Sequence, residues 1–314
     1  MRILFMGTPD FAVPCLDILN KEHEVIGVYT KVDKINHRGR KIEYLPVKKY
    51  ALENDLKIFQ PNRLKDENII QEIRNMKPDL IAVVAYGKII PTEIIDIPKY
   101  GIINVHSSLL PRFRGAAPIN AAIMAGDKKS GVTVMYIAEG LDTGDIILAK
   151  ETPIYEKDNF ETLHDRLKDL AAEAIVEAVS LIGEGKNNRI AQDDSKATFV
   201  KPFKKEDLVI NWNQNEEEIY NFVRGISPVP CGFSILNDKI MKIYEVEKNN
   251  KIYEDGVTGE VVGKVKGKGP VVKTKDGSVI ITSAKPQSKK RLSGADLLNG
   301  NFIKIGEIFK GVEQ

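Results

Sequence analysis

The sequence predicts a two-domain α/β protein, in which a Rossmann-like, mostly parallel sheet is followed by a small β-barrel or sandwich. Apolar runs alternate with amphipathic stretches over the first part of the chain, which is typical of a parallel sheet covered by helices. Short β-like runs separated by turn residues fill the last third. A polar stretch at residues 186–207 indicates a linker between them. With 314 residues, the chain is long enough for two cores.

The first domain is predicted from the period of its apolar residues. Its strands are expected at Arg2–Met6, Glu24–Thr30, Asp79–Ala85, Gly101–His106, Gly131–Ala138 and Asp145–Tyr155. Its helices are expected at Phe11–Leu19, Pro46–Asn54, Asn68–Met76, Pro118–Ala125 and Phe160–Glu184. The last of these has the most regular helical spacing, and Gly183 and Gly185 end it.

The second domain is predicted to be mainly β. One helix is expected at Glu216–Arg224, ahead of the strands. The strands are expected at Gly232–Leu236, Lys239–Glu247, Gly256–Val265, Pro270–Lys275 and Val279–Thr282.

Composition excludes several classes of protein. The net charge is only +2, so any nucleic-acid surface must come from uneven charge distribution. No apolar run approaches the ~18 residues of a membrane span, and the start is too interrupted for a secretory signal. Two distant cysteines offer no zinc cluster and suit a reducing compartment. We therefore expect a cytoplasmic protein without a bound metal.

The turn after the first strand argues against a dinucleotide enzyme. A Rossmann domain carries several glycines here, which let the backbone approach a pyrophosphate. This chain has only Gly7, and Pro9 follows it. The sequence therefore predicts a Rossmann-like fold with a different ligand.

Polar side chains end the fourth predicted strand. Asn104 and His106 are two residues apart, so they share one face of the strand, at the carboxyl end where α/β sheets build their sites. A histidine at the end of a strand is more often a plain hydrogen-bonded residue than a catalyst. By themselves, Asn104 and His106 are thus either part of an active site or ordinary hydrogen-bonded residues.

A glycine-flanked loop supplies a carboxylate. Asp142 lies between Gly140 and Gly144, where it either caps a turn or faces His106. An amide donor, an imidazole and a carboxylate together suit acyl transfer to an amine, because they can stabilise an oxyanion and move a proton. Ser107 and Ser108 leave a serine nucleophile open, although no G-x-S-x-G elbow is present.

Basic residues are unevenly distributed. Residues 257–314 hold 11 Lys or Arg and 5 Asp or Glu. A second basic stretch, residues 31–41, connects a predicted strand to a helix. Each stretch is either ordinary solvated surface or a binding surface for a polyanion.

At this point the motifs resemble a known family, the 10-formyltetrahydrofolate formyltransferases. The similar segments are Asn104-x-His106, Ser108-Leu109-Leu110-Pro111, Arg112-x-Arg114-Gly115-Ala116-Ala117-Pro118 and Gly140-Leu141-Asp142-Thr143-Gly144. The opening MGTPDFAVP and the RGAAP segment are most similar to members that act on charged tRNA. The resemblance runs nearly end to end.

The resemblance implies transfer of a formyl group from 10-formyltetrahydrofolate to the amine of methionine on initiator tRNA. It implies a formyltransferase domain at 1–188, a linker at 189–207 and an OB-like tRNA-binding barrel at 208–314. It makes Asn104, His106 and Asp142 catalytic and assigns Ser108, Leu109, Leu110 and Pro111 to the folate. With the basic stretches, it predicts tRNA contacts at Arg38, Arg40, Lys41, Lys264, Lys266, Lys289 and Arg291. We expect a monomer.

Other functions remain open at this stage. A formyltransferase with another acceptor, such as an amino sugar, would share the same catalytic residues, and only the basic segments favour tRNA. A glycinamide ribonucleotide formyltransferase would not need the second domain. A catalytically silent RNA-binding protein of OB type would not need Asn104, His106 and Asp142.

Overall fold

The computed structural model describes residues 1–35 and 42–311 and confirms the predicted fold class. Two compact units make up the chain. Unit 1 comprises Met1–Gly115, Ser130–Thr152 and His164–Phe199, and unit 2 comprises Ala116–Lys129, Pro153–Leu163 and Val200–Gln314. In the described part of the chain, no helix is both long and apolar enough to span a membrane.

The elements up to residue 200 comprise eleven described strands and six helices. The strands are β1 (Arg2–Gly7), β2 (Glu24–Tyr29), β3 (Lys34–Ile35), β4 (Ile42–Glu43), β5 (Ile58–Phe59), β6 (Leu80–Val84), β7 (Ile102–His106), β8 (Arg114–Gly115), β9 (Lys129–Tyr136), β10 (Ile146–Pro153) and β11 (Phe199–Val200). The helices are α1 (Val13–Glu22), α2 (Pro46–Glu53), α3 (Glu67–Met76), α4 (Thr92–Ile95), α5 (Pro118–Met124) and α6 (Phe160–Gly183).

The main sheet of unit 1 has the strand order β10-β9-β7-β6-β1-β2-β5. Neighbouring pairs from β7 to β5 are parallel, whereas β9 runs antiparallel to β7. All five residues of β6 are buried, because a central strand of such a sheet is covered on both faces. The parallel strands therefore bring their carboxyl ends to one edge, where β7 ends at His106.

Several predicted element boundaries were wrong, and two of them have a clear physical cause. The first helix begins at Val13 rather than Phe11, because a 3₁₀ turn occupies Asp10–Ala12 and Pro14 fits the first turn of the α-helix. The strand expected from Gly256 begins only at Val261, because the amide of Glu260 bonds back to the Val257 carbonyl in a turn. Two-residue β5 was not predicted, because two residues are too few for a period.

Helix α6 follows its predicted apolar period. Leu167, Ala171, Ala174 and Ala178 are fully buried at spacings of three and four residues, which is one face of an α-helix. The helix is 24 residues long and ends at Gly183, one residue before the predicted Glu184.

Unit 2 is built mainly on antiparallel strands. They are β12 (Gly232–Leu236), β13 (Lys239–Lys248), β14 (Val261–Val265), β15 (Gly269–Lys273), β16 (Ser278–Pro286) and β17 (Leu292–Ser293). Helices α7 (Glu216–Gly225) and α8 (Gly294–Asn299) accompany them. An Asn215–Glu218 capping box begins α7. The core includes Trp212, Ile243, Val272 and Ile281.

The chain end closes this sheet. In the order β12-β13-β16-β15-β14, the outer strands are β12 and β14. Lys310 exchanges backbone hydrogen bonds with Ile235 of β12 at 2.8 and 3.0 Å. Phe309 donates to Gly259 at 2.8 Å, and Val261 of β14 donates to Glu307 at 2.8 Å. Both edges are thus paired with one segment, which matches the expected barrel.

Candidate active site

His106 ends β7 and is held at one of its two ring nitrogens. Its side chain is almost fully buried. Nε2 lies 2.9 Å from the carbonyl oxygen of Phe113. Because a carbonyl can only accept, Nε2 is the donor in this contact. Nδ1 faces Oδ2 of Asp142 at 3.6 Å, a distance beyond a direct hydrogen bond but within an ion-pair contact. Nδ1 is therefore the nitrogen left for a reacting group.

Asp142 reaches His106 from the loop between β9 and β10. Its Oδ2 accepts a 2.8 Å hydrogen bond from the backbone amide of Gly115. Asp142 has a left-handed backbone (φ +53°), and Gly140 lies at φ +111°. Gly144 has no space for a side chain, because a Cβ there would lie 1.7 Å from the Tyr136 carbonyl. The loop therefore needs its glycines to present the carboxylate.

Asn104 shares β7 with His106 and is half-buried. Within the described residues, its carboxamide has no hydrogen-bond partner. The N–H groups of such an amide remain available to a ligand that arrives at this edge. The structure thus brings His106 and Asp142 into contact and places Asn104 two residues before His106 on the same strand.

The segment Ser108–Pro111 forms a fixed loop directly after β7. The Ser108 hydroxyl donates to the Arg112 carbonyl at 2.6 Å. Buried Thr133 accepts from the Leu110 amide at 3.2 Å and donates to the Ser108 carbonyl at 2.7 Å. Ser108 is 1% exposed and already bonded, which argues against the serine-nucleophile alternative at this residue. Leu109 and Pro111 are half-buried and offer apolar surface.

The predicted tRNA contacts fall in different settings. Arg38, Arg40 and Lys41 lie outside the described residues. Lys264 lies on β14, and Lys266 and Lys289 lie beyond the ends of β14 and β16; all three are exposed.

Arg291 differs from these lysines. Its guanidinium bonds to Glu245 at 2.5 Å and to Ser283 at 2.7 Å, and it lies 4.5 Å from the ring centre of Tyr244. Its charge is therefore already partly satisfied within unit 2.

Sequence reasoning missed two residues beside the site. Gln192, in the segment predicted as linker, donates to the carbonyls of Asp142 and Gly144 at 2.9 and 2.8 Å. Arg114 is 2% exposed and donates to Gln192 at 2.8 and 3.0 Å. The polar composition that suggested a linker gave no signal of this role, because these partners lie 48 to 78 positions away.

One group of potential metal ligands occurs among the described residues, and its members are not the residues that make these contacts. Asp10, His164 and Asp165 offer one ligand atom each within 4.8 Å of one another. Lys168 makes ion pairs with Asp165 at 3.3 Å and Asp10 at 3.9 Å. The carboxylates are thus partly neutralised by a cation of the chain itself.

Comparison with known proteins identifies the family of this chain. Residues 1–179 match the model described as formyl transferase, and residues 202–301 match the formyl transferase C-terminal domain. A methionyl-tRNA formyltransferase of Fusobacterium nucleatum subsp. nucleatum is 60% identical over 307 residues, which cover 98% of this chain and 99% of that protein. The chain belongs to the methionyl-tRNA formyltransferase family. Like other members of this family, it is a formyl-transferring enzyme.

Two solved structures support the fold of the family. The sugar 3N-formyl transferase WlaRD, crystallised in the presence of dTDP and 5-N-formyl-THF, has a TM-score of 0.68 at 24% identity. That similarity covers 92% of this chain and 99% of WlaRD. HypX from Aquifex aeolicus has a TM-score of 0.65 at 19% identity, and the similarity covers 98% of this chain but 48% of HypX.

Proposed function

We propose that this enzyme transfers the formyl group of 10-formyltetrahydrofolate to the free amino group of methionine on initiator tRNA, for translation initiation. The observation that carries the proposal is the contact of His106 with Asp142. The strand of His106 also holds the Asn104 amide, which has no hydrogen-bond partner among the described residues. The 60% identity to a methionyl-tRNA formyltransferase supports the choice of acceptor over an amino sugar.

Asn104, His106 and Asp142 are the proposed catalytic residues. When the amine attacks the formyl carbon, the carbonyl oxygen gains negative charge, and the Asn104 amide donates to it. His106, with Asn104, stabilises this oxyanion, and Asp142, whose Oδ2 faces Nδ1 of His106, takes up the proton that the attacking amine loses. The bond between the formyl carbon and N10 of the folate then breaks, N10 receives a proton, and tetrahydrofolate leaves. Nε2 stays on the Phe113 carbonyl, so it keeps the ring orientation fixed. No nucleophilic side chain is needed, because the substrate supplies the nitrogen.

Ser108, Leu109, Leu110 and Pro111 form the proposed site of the folate donor. Thr133 fixes the backbone of this loop from beneath. The half-buried surfaces of Leu109 and Pro111 suit the apolar faces of a flat heterocycle. When bound, 10-formyltetrahydrofolate supplies the activated formyl group. We propose that neither a metal nor a dinucleotide takes part.

The proposed tRNA contacts are basic residues that need only reach phosphates. They are Arg38, Arg40, Lys41, Lys264, Lys266, Lys289 and Arg291. The accessibility of the exposed lysines in this set supports the proposal, because phosphate binding requires charge rather than a shaped pocket.

We further propose domain boundaries at 1–188, 189–207 and 208–314, a monomeric enzyme and a cytoplasmic location.

In the test, the purified protein is incubated with 10-formyltetrahydrofolate and one of three acceptors. The acceptors are methionyl-initiator tRNA, methionyl-elongator tRNA and an amino-sugar nucleotide. Formyl-methionine, measured by mass spectrometry after ester hydrolysis, should form on initiator tRNA and far more slowly on elongator tRNA. Loss of product with Asn104→Ala excludes a contaminating enzyme. Formylation of the amino sugar alone would overturn the proposed acceptor.

A further inference from the structure

Gln192 fastens the loop that carries Asp142. Its Nε2 donates to the Asp142 carbonyl at 2.9 Å and to the Gly144 carbonyl at 2.8 Å, and it also makes a weaker contact with the Met135 sulfur at 3.8 Å. Just before it, Ile190 exchanges backbone hydrogen bonds with Ile146 at 2.8 and 3.0 Å. The chain before Gln192 is therefore fixed to the first residue of β10, and Gln192 spans from there to the loop.

The orientation of the Gln192 amide follows from its partners. Its Oε1 accepts from Nε and Nη2 of Arg114 at 3.0 and 2.8 Å. A guanidinium can only donate and carbonyls can only accept, so a flipped amide would lose all of these bonds. Arg114 is itself 2% exposed and also bonds to Asp194 at 2.7 Å. A buried guanidinium thus fixes the amide that fixes the loop.

These contacts converge on one carboxylate. Arg114 precedes Gly115, whose amide donates to Oδ2 of Asp142 at 2.8 Å. The side chain of Asp142 is therefore held from Gly115, while its main chain is held from Gln192. Because the loop has a left-handed residue and flanking glycines, it has little intrinsic preference for this conformation.

We propose that Gln192 is a positioning residue, which keeps the Asp142 carboxylate at its working distance from His106. The inference rests on the catalytic role proposed for Asp142. Misplacement of a reacting group by about 1 Å can reduce turnover about 100-fold. If the loop that carries Asp142 is released, kcat should therefore fall. The KM for the folate should change little, because its proposed site, Ser108–Pro111, is held by Thr133 instead.

The test compares two substitutions with a matched control. Gln192→Met keeps the length of the side chain and removes every hydrogen bond. Gln192→Glu keeps an acceptor for buried Arg114 but replaces the donor to the two carbonyls with an oxygen. It therefore removes only the hydrogen bonds to the loop, and it serves as the test if Gln192→Met folds poorly. The control is Gln71→Met, because among the described residues the Gln71 amide bonds to Asn75 alone, at 2.9 Å on α3.

Two readouts separate positioning from general stability. The first is hydrogen exchange of the Gly115 amide, measured by NMR without substrates, because that amide reports the place of the Asp142 carboxylate. The second is a double-mutant comparison with Asp142→Asn, since a residue that acts through Asp142 adds no further loss once Asp142 is changed.

We expect both Gln192 variants to lower kcat about 10- to 100-fold, to speed exchange at Gly115 and to add nothing to Asp142→Asn. Near-normal kcat, unchanged Gly115 exchange, or losses that multiply with those of Asp142→Asn would each overturn the inference. Normal turnover in Asp142→Asn alone would instead overturn the proposed role of Asp142, and the positioning inference with it.

Discussion

Oδ2 of Asp142 lies 3.6 Å from Nδ1 of His106 and at the same time accepts the 2.8 Å hydrogen bond of the Gly115 amide. The carboxylate is therefore fixed before any substrate binds. On the other side of the ring, the Phe113 carbonyl holds Nε2. The imidazole and the carboxylate are thus each anchored by a backbone group of the segment 113–115.

The charge of Asp142 can be tested without moving the loop. In Asp142→Asn, the amide oxygen can still accept from Gly115, and asparagine tolerates a left-handed backbone. We expect turnover to fall about 100-fold, as for loss of a group that stabilises charge in the transition state. Single-turnover formylation of charged initiator tRNA measures it. Asp169→Asn, at an exposed carboxylate on α6, is the control, and near-normal rates in Asp142→Asn would contradict the assignment.

Asn104→Ala should lower turnover about 100-fold, because one donor to the developing oxyanion is removed. The thermal unfolding midpoint should barely move, since the Asn104 amide has no hydrogen bond to lose within the described residues. Quench-flow kinetics and calorimetry on the same sample check both statements. Asn75→Ala on α3 serves as control. A full rate, or a large drop in the midpoint, would show that Asn104 has a different role.

Thr133→Val should act on the donor site rather than on the chemistry. The change keeps the shape of the side chain but leaves the Leu110 amide and the Ser108 carbonyl without their buried partner. We expect a loss of about 1–3 kcal/mol in the free energy of unfolding and a raised KM for 10-formyltetrahydrofolate. Urea denaturation and steady-state kinetics provide the measurements. An unchanged KM for the folate would argue against a donor site at this loop.

Exposed lysines should control the salt dependence of tRNA binding. Replacing Lys264, Lys266 or Lys289 by alanine should lower the slope of log affinity against log salt by about 1 for each phosphate that the variant no longer neutralises. Lys268→Ala is the matched control, because its ammonium already pairs with Glu247 at 2.6 Å. Filter binding of initiator tRNA at several salt concentrations measures the slopes. Equal slopes in all four variants would show that these lysines do not contact the tRNA.

Both cysteines should be inert in the folded enzyme. Burial raises the pKa of the Cys15 thiol to about 12 and that of Cys231 to about 11. A raised pKa keeps a thiol protonated at neutral pH, and the thiolate is the reactive form. Iodoacetamide at pH 8 should therefore label neither residue until denaturant is added. Rapid labelling of native protein would show that one of the two is accessible.

Much of the fold could be predicted because its signals are local. The apolar runs of β1 and β6 and the period of α6 each lie within one stretch of sequence. The antiparallel direction of β9 could not be predicted, because nothing in its own residues specifies its neighbour. Among the described residues, the pairing of both barrel edges with residues 307–310 was hidden for the same reason.

By itself, the sequence determined which chemical groups the protein has and where the strand with Asn104 and His106 ends, because residue type and period are properties of a short segment. Only the tertiary structure decided which atoms meet. It turned Nε2 of His106 to a carbonyl seven residues away and put Gln192 on a loop 50 positions earlier. Hydrogen bonds between distant segments depend on how the whole chain packs, and no local pattern records them.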